Sequence, residues 1–271
     1  MADFDERTYW EQRLGEHYEL ESVGCTGLGG ALNAWMYRVR RRVFLAELRR
    51  LGLAGRPELR ALDIGSGTGF YVERWHELGV REVTGSDLTT VAIEQLRRRF
   101  PTDRFELFDV GGEELPFAAG SFDAISALDV LFHIIDDERF ARAIRNLHTL
   151  LVPGGTFVFS DNFVHGESVR VRHQASRPLE TIEAIVRESG FEIVRRRPMF
   201  VLLNAPVDSG ARALHAWWKA LSIASSHSEL VGRAAGALAY PIELALVERL
   251  REGPSTELMV CRRPTSAAVA V

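Results

Sequence analysis

Apolar and polar positions change their period several times along this chain, and each change marks an element. Residues 3–20 carry Phe4, Trp10 and Leu14 among charges, which predicts a short helix. Gly24, Gly27, Gly29 and Gly30 then interrupt the pattern. A second helix is predicted from about Leu32 to Leu51, because Leu32, Met36, Val39, Val43, Phe44 and Leu48 form one stripe. The arginines between Arg38 and Arg50 read as the wet face of that helix. Gly52 to Pro57 closes it.

From there, short apolar runs alternate with helical patterns. Strands are predicted from Ala61 to Asp63, at Val83–Asp87, at Phe105–Val110 and at Ser121–Asp129, with a turn at Leu150–Gly155 before a fifth. Helices are predicted at Tyr71–Leu78, Val91–Arg99, Asp137–Leu150 and Pro178–Ser189. Such alternation predicts an α/β fold with a parallel sheet covered by helices on both faces. A sixth strand is expected from Phe191 to Leu203, interrupted near Pro198, and a seventh from Pro254 to Cys261. The stretch between them, about fifty residues rich in Ala and Leu, reads as helical and is longer than most links in compact domains.

A length of 271 residues allows one large domain or two small ones, and 46% hydrophobic with 26% charged residues is an ordinary globular balance. The net charge of −4 argues against a general nucleic-acid binder. Cys25 and Cys261 are too far apart in sequence to suggest a metal motif, and they require no oxidising compartment. The acidic start lacks a signal peptide's apolar run, and no uninterrupted apolar segment reaches the roughly 18 residues of a membrane span. A cytoplasmic protein with no membrane or nucleic-acid partner is expected. Lys219 is the one lysine among many arginines, which reads as coding bias.

The chemistry starts where the first core strand breaks into Asp63-Ile64-Gly65-Ser66-Gly67-Thr68-Gly69. Glycines at such a bend accept positive φ and let backbone approach a ligand. In the dinucleotide fingerprint the third glycine falls five residues after the first, and here that position is Phe70. The run Gly24–Gly30 lacks the Lys-Ser/Thr ending of a nucleotide loop and reads as a hinge. Further strand-end acids stand at Asp87 and Asp109. Read without a family, each could instead be a helix cap or a loop acid.

Taken together, Asp-x-Gly-x-Gly-x-Gly, Asp87, Asp109, the run to Asp129 and Leu151-Val152-Pro153-Gly154-Gly155 resemble the class I S-adenosylmethionine-dependent methyltransferases over about residues 55–200. The resemblance is to the metal-independent, small-molecule type. It implies a doubly wound, seven-stranded, mostly parallel Rossmann-like sheet whose last strand runs antiparallel. It also implies S-adenosylmethionine bound by Asp63, Gly65, Gly67, Gly69, Asp87, Leu88, Asp109, Val110 and Leu128, with Asp87 on the ribose and Asp109 on the adenine. Thr68 and Phe70 would flank the methionine portion. The expected organisation is an N-terminal helical lid (1–54), the cofactor-binding core (55–203), a helical cap over the substrate pocket (204–253), and the last strand with its tail (254–271).

Around this frame several residues are candidates for the acceptor. His133 follows the fourth strand, as a histidine does in the small-molecule enzymes, and could act as a base or orient substrate. Asp161-Asn162 after the fifth strand, with Asp129, matches the donors of metal-dependent catechol-type O-methyltransferases. The same pair could equally line the pocket or cap a turn. His165 and Arg177 stand among further cations on the following loop and could hold an acidic substrate group, or could be solvated. Expected activities are O-, N- or C-methylation of a specialised-metabolism intermediate, with O-methylation foremost. The alternative is a non-catalytic cofactor-binding module. Two helical caps leave room for a homodimer.

Overall fold

The computed structural model describes residues 5–25 and 27–265, so Phe4 lies outside them. Asp5 starts α1 (Glu6–Glu16) by accepting the Thr8 N–H at 2.6 Å, a side-chain cap for a helix end that has no other partner. One 3-10 turn follows at Leu20–Val23, and then α2 (Gly30–Arg50) runs for 21 residues. The acid that caps α2 comes from far along the chain. The Glu229 carboxylate accepts the Gly30 N–H at 2.9 Å and the Ala31 N–H at 2.7 Å, where the helix dipole favours negative charge.

The core then proceeds through β1 (Ala61–Ile64), α3 (Phe70–Glu77), β2 (Val83–Asp87), α4 (Thr90–Arg99), β3 (Arg104–Leu107), β4 (Phe122–Ala127), α5 (Asp137–Leu150) and β5 (Leu151–Asp161). A small hairpin of β6 (Val169–Val171) and β7 (Gln174–Ser176) precedes α6 (Leu179–Glu188) and β8 (Glu192–Pro198). Finally come α7 (Arg212–His227), α8 (Glu229–Arg249) and β9 (Glu257–Arg262). The large sheet has the order β3-β2-β1-β4-β5-β9-β8. β1 to β5 are parallel, and β9 lies antiparallel between β5 and β8. This is the seven-stranded, doubly wound fold that the resemblance implied.

Both faces of the sheet are covered. Met36, Phe44 and Leu48 of α2 pack with Trp75 of α3 and Leu96 of α4 on one face. Phe140, Ile144 and Leu147 of α5 pack with Ile182 and Val186 of α6 on the other. α5 shows how local sequence sets such a layer. Asp136 caps it by accepting the Arg139 N–H at 2.8 Å, and its buried residues recur every three or four positions.

Some boundaries differ from the sequence reading. β3 ends at Leu107 because the chain turns there: the Phe108 N–H reaches the Asp87 carbonyl, and the Gly111 N–H reaches the Asp109 carboxylate. β4 ends at Ala127, two residues before Asp129, which has φ +59°. Gly154 and Gly155, expected as a turn before the fifth strand, lie within β5, where its pairing with β4 shifts register.

The insertion also lies elsewhere than over the pocket. α8 runs along α2, and the Glu243 carboxylate accepts the Val201 and Leu202 N–H groups at 2.8 and 2.7 Å. Arg197 pairs with Glu47 of α2 at 3.2 Å, and its guanidinium donates to the Val247 carbonyl. These buried contacts fasten the insertion to the outer flank of α2. No described residue of 204–253 lines the cleft at the sheet edge.

Candidate active site

β1 and β4 are neighbours from which the chain winds off in opposite directions, which opens a crevice at their carboxyl ends. The glycine loop floors that crevice. Gly65, Gly67 and Gly69 have φ of +64°, +51° and +85°. A Cβ on Gly65 would stand 2.5 Å from Val130, and one on Gly69 would stand 2.4 Å from Phe100. Side chains are therefore excluded twice, by conformation and by space.

Asp87 closes the loop from below. One carboxylate oxygen accepts the Gly67 N–H at 2.9 Å, and the other accepts the Thr89 N–H and hydroxyl at 2.9 and 2.7 Å. Thr89 in turn caps α4. Burial pushes the Asp87 carboxyl up from its ordinary value, while these donors hold it down. Asp109 borders the same cleft, with one oxygen on the Gly111 N–H and the other on Arg139 at 2.8 Å. Leu88, Val110 and Leu128 supply apolar walls.

Asp63 is placed differently. It is buried and does not line the cleft. Its Oδ1 accepts the Ser126 hydroxyl at 2.6 Å, and the Ser126 oxygen accepts the Trp75 indole N–H at 2.9 Å. Oδ2 has no partner, and desolvation raises this carboxyl to about 7. Asp63 thus joins β1 to β4 and α3 behind the loop.

The opposite wall comes from α1 and α2. Glu6, Trp10 and Leu14 of α1 and Tyr37 of α2 line the cleft with Phe70 and Tyr71. Glu6 pairs with Arg139 at 2.6 Å and accepts the Ile135 N–H. Glu11 accepts the Thr90 and Val91 N–H groups at the start of α4, and the Tyr18 hydroxyl donates to the Gly67 carbonyl at 2.7 Å. At the floor, Asp129 pairs with buried Arg40 at 2.6 Å. Arg40, read from sequence as part of a wet face, points inward. The missed signal was its place in the apolar stripe, four residues after Met36 and three before Val43.

His133 lines the cleft between Trp10, with ring centres 4.9 Å apart, and His173 at 5.8 Å. Its Nδ1 lies 2.8 Å from the His173 carbonyl, so Nδ1 carries the hydrogen and Nε2 keeps a lone pair. Burial lowers this imidazole to about 4, and the unfolded chain would protonate it near the ordinary 6.5. His133 therefore removes stability as pH falls from about 6.5 to 4. Asp63 and Asp161, both raised to about 7, act in the opposite sense: their contribution is full below 3.8 and is lost as pH rises through 7. Melting His133→Phe beside the wild type over this range is expected to show a shallower acid loss in the variant. Parallel curves would remove the buried imidazole as the cause.

Four acceptor candidates lie away from the cleft. Asp161 is buried with Oδ1 on the Asn162 N–H and Oδ2 unpartnered, and Asn162 bonds Ser176 and Thr256. His165 pairs with Asp208 at 2.6 Å on the surface. Arg177 is buried, pairs with Asp137 and donates to the Ile134 carbonyl. None of Asp161, Asn162, His165 and Arg177 lines the cleft, and partners within the protein engage each of them. The donors of the catechol-type alternative form no cluster among the described residues: Asp129 pairs with Arg40, Asp161 bonds the Asn162 N–H, and the Asn162 side chain bonds Ser176 and Thr256.

A glycine cradle that a Cβ would fill, with Asp87 at the end of β2 and Asp109 two residues beyond β3, fits S-adenosylmethionine. The fold is that of the class I S-adenosylmethionine-dependent methyltransferases, and the cradle resembles their cofactor site. Residues 62–159 match the family model described as methyltransferase domain. A demethylmenaquinone methyltransferase of Chlorobaculum parvum is 31% identical over 114 residues, covering 42% of this chain and 45% of that protein. A tRNA U34 carboxymethyltransferase of Idiomarina loihiensis is 31% identical over 131 residues, covering 46% of this chain and 38% of that protein. The chain thus spans less than half the length of these curated relatives. Among solved structures, the magnesium protoporphyrin IX methyltransferase of Synechocystis PCC 6803 superposes with a TM-score of 0.58 at 14% identity, covering 97% of this chain and 99% of that one.

Proposed function

We propose that this chain transfers the methyl group of S-adenosylmethionine to an oxygen, nitrogen or carbon of a small molecule with an apolar or aromatic body. The observation that carries this reading is the composition of the cleft. The glycine loop with Asp87 and Asp109 forms one end, while Trp10, Leu14, Tyr37, Tyr71 and His133 form a mostly aromatic wall beside it. A polyanionic acceptor such as tRNA is disfavoured, because no Lys or Arg lines this cleft among the described residues to meet its phosphates.

When bound, S-adenosylmethionine supplies an electrophilic methyl carbon on a sulfonium that leaves readily. The protein's share is then chiefly positioning and exclusion of water. Asp87 would hold the ribose through the one lone pair its carboxylate has left, and Val110 and Leu88 would hold the adenine. α1 serves as a lid through Trp10 and Leu14. His133, kept neutral by burial, presents Nε2 as an acceptor for the nucleophile's hydrogen. Its low basicity makes it a positioning group more than a strong base.

The test is calorimetric titration with S-adenosylmethionine and S-adenosylhomocysteine, followed by transfer of labelled methyl to a panel of phenols, aromatic amines and quinols. Cofactor binding with a labelled aromatic product is the expected result. Binding with no labelled product across the panel would favour the non-catalytic module. Transfer abolished by a chelator and restored by Mg²⁺ would favour the catechol-type chemistry.

A further inference from the structure

The hairpin of α7 and α8 bears an apolar surface that no other described part of the chain covers. α8 reaches a mean hydropathy of 1.4 over an 18-residue stretch, yet only 28% of that stretch is buried. Its inward ridge is made of Gly232, Gly236, Ala239, Glu243 and Val247, small or capping residues that let it lie close to α2. Polar residues should then occupy the outer side of a helix in water. Instead Leu230 is 76% exposed, Leu238 75% and Ile242 55%, and α7 adds Ile223 at 51%.

The charges around this surface are one-sided. Every acid of the insertion is engaged elsewhere: Asp208 with His165, Glu229 at the head of α2, Glu243 on the 201–202 amides, Glu248 with Arg197, and Glu252 with Arg196. Its cations are Arg212, Lys219, Arg233, Arg249 and Arg251. Among the described residues none of these five forms an ion pair, although the chain as a whole is acidic.

We propose that the α7–α8 hairpin seats the protein on an anionic lipid bilayer, lying in the interface rather than crossing it. Hydrocarbon takes the exposed leucines and isoleucines, and lipid headgroups neutralise the unpaired cations. A second copy of this chain fits the surface less well, because a two-fold contact brings the same unpaired cations together. A crossing orientation is blocked, because Glu229 and Glu243 tie both halves of α8 to the body of the protein.

Flotation of the full chain with vesicles of phosphatidylcholine, with and without phosphatidylglycerol, tests the proposal. The wild type is expected to float with the anionic vesicles and to be released at about 1 M salt, where the Debye length falls to about 3 Å. Leu238→Glu with Ile242→Glu is expected to lower the bound fraction at least tenfold. Lys219→Gln with Arg233→Gln should erase the preference for anionic lipid. Unchanged circular dichroism and S-adenosylhomocysteine binding in these variants exclude misfolding, since none of the four residues lines the cleft. Failure of the wild type to float with either vesicle overturns the proposal. So does a wild-type dimer in sedimentation velocity that Leu238→Glu dissociates, because the patch would then be a self-interface.

Discussion

Arg40→Ala is expected to lower stability by about 3 kcal/mol, which for a chain of this size is roughly 6–12 °C in thermal midpoint. Arg40 is buried in α2, and its guanidinium stands 2.6 Å from Asp129 with the Tyr37 and Phe200 rings against its cationic face. Removing it leaves Asp129 with an uncompensated charge beside an apolar floor. Asp129 is also the one non-glycine among the described residues with positive φ, a conformation that costs about 1–3 kcal/mol and needs support. The support comes from Arg40 and from Ser160, whose hydroxyl oxygen accepts the Asp129 N–H at 2.7 Å. Thermal or denaturant unfolding of Arg40→Ala, Asp129→Asn and the double variant decides the matter. A double variant less damaged than the sum of the singles is expected. A loss below about 1 kcal/mol in Arg40→Ala would mean the pair is solvated and contributes as little as a surface bridge.

The second large effect concerns affinity. Asp87→Ala is expected to weaken S-adenosylmethionine binding by about ten- to a hundredfold, since a hydrogen bond to a charged group contributes about 1.5–3 kcal/mol and tenfold corresponds to about 1.4. Asp87 has two tasks. It presents acceptors at the cleft, and it holds the loop by taking the Gly67 N–H while bonding Thr89 at the cap of α4. Asp87→Asn keeps one acceptor and most of the shape, so its loss should be smaller. Calorimetry with a parallel melt separates lost ligand contacts from a loosened loop. Unchanged affinity in a folded Asp87→Ala would remove Asp87 from the cofactor site and with it the central part of the reading.

Local pattern carried far in this chain. β2 and α5 begin and end where alternation and capping place them, at Val83–Asp87 and Asp137–Leu150. The glycine loop was legible because only glycine satisfies its φ values and its clearance together. What escaped depends on tertiary partners that periodicity does not encode. Arg40 sits in an apolar stripe, but its burial makes sense only once β4 delivers Asp129. Arg177 looks like a loop cation until the Asp137 carboxylate and the Phe140 ring enclose it. The insertion was expected above the cleft, because β8 ends at that edge of the sheet. Glu229 and Glu243 instead bind backbone amides on α2 and at 201–202, and so draw it aside. α8 likewise has no long uninterrupted apolar run, and its apolar residues are exposed by the way the helix is docked.

The wall that α1 forms has a kinetic side. Glu6 is bound to Arg139 and Glu11 to the head of α4, so this wall is fastened by charge as well as by Trp10 and Leu14. If α1 is the lid proposed above, the time a molecule stays beneath it is expected to depend on ionic strength. Salt that loosened both glutamates would then shorten the stay, and in dilute buffer a lingering product would set the pace of the proposed transfer.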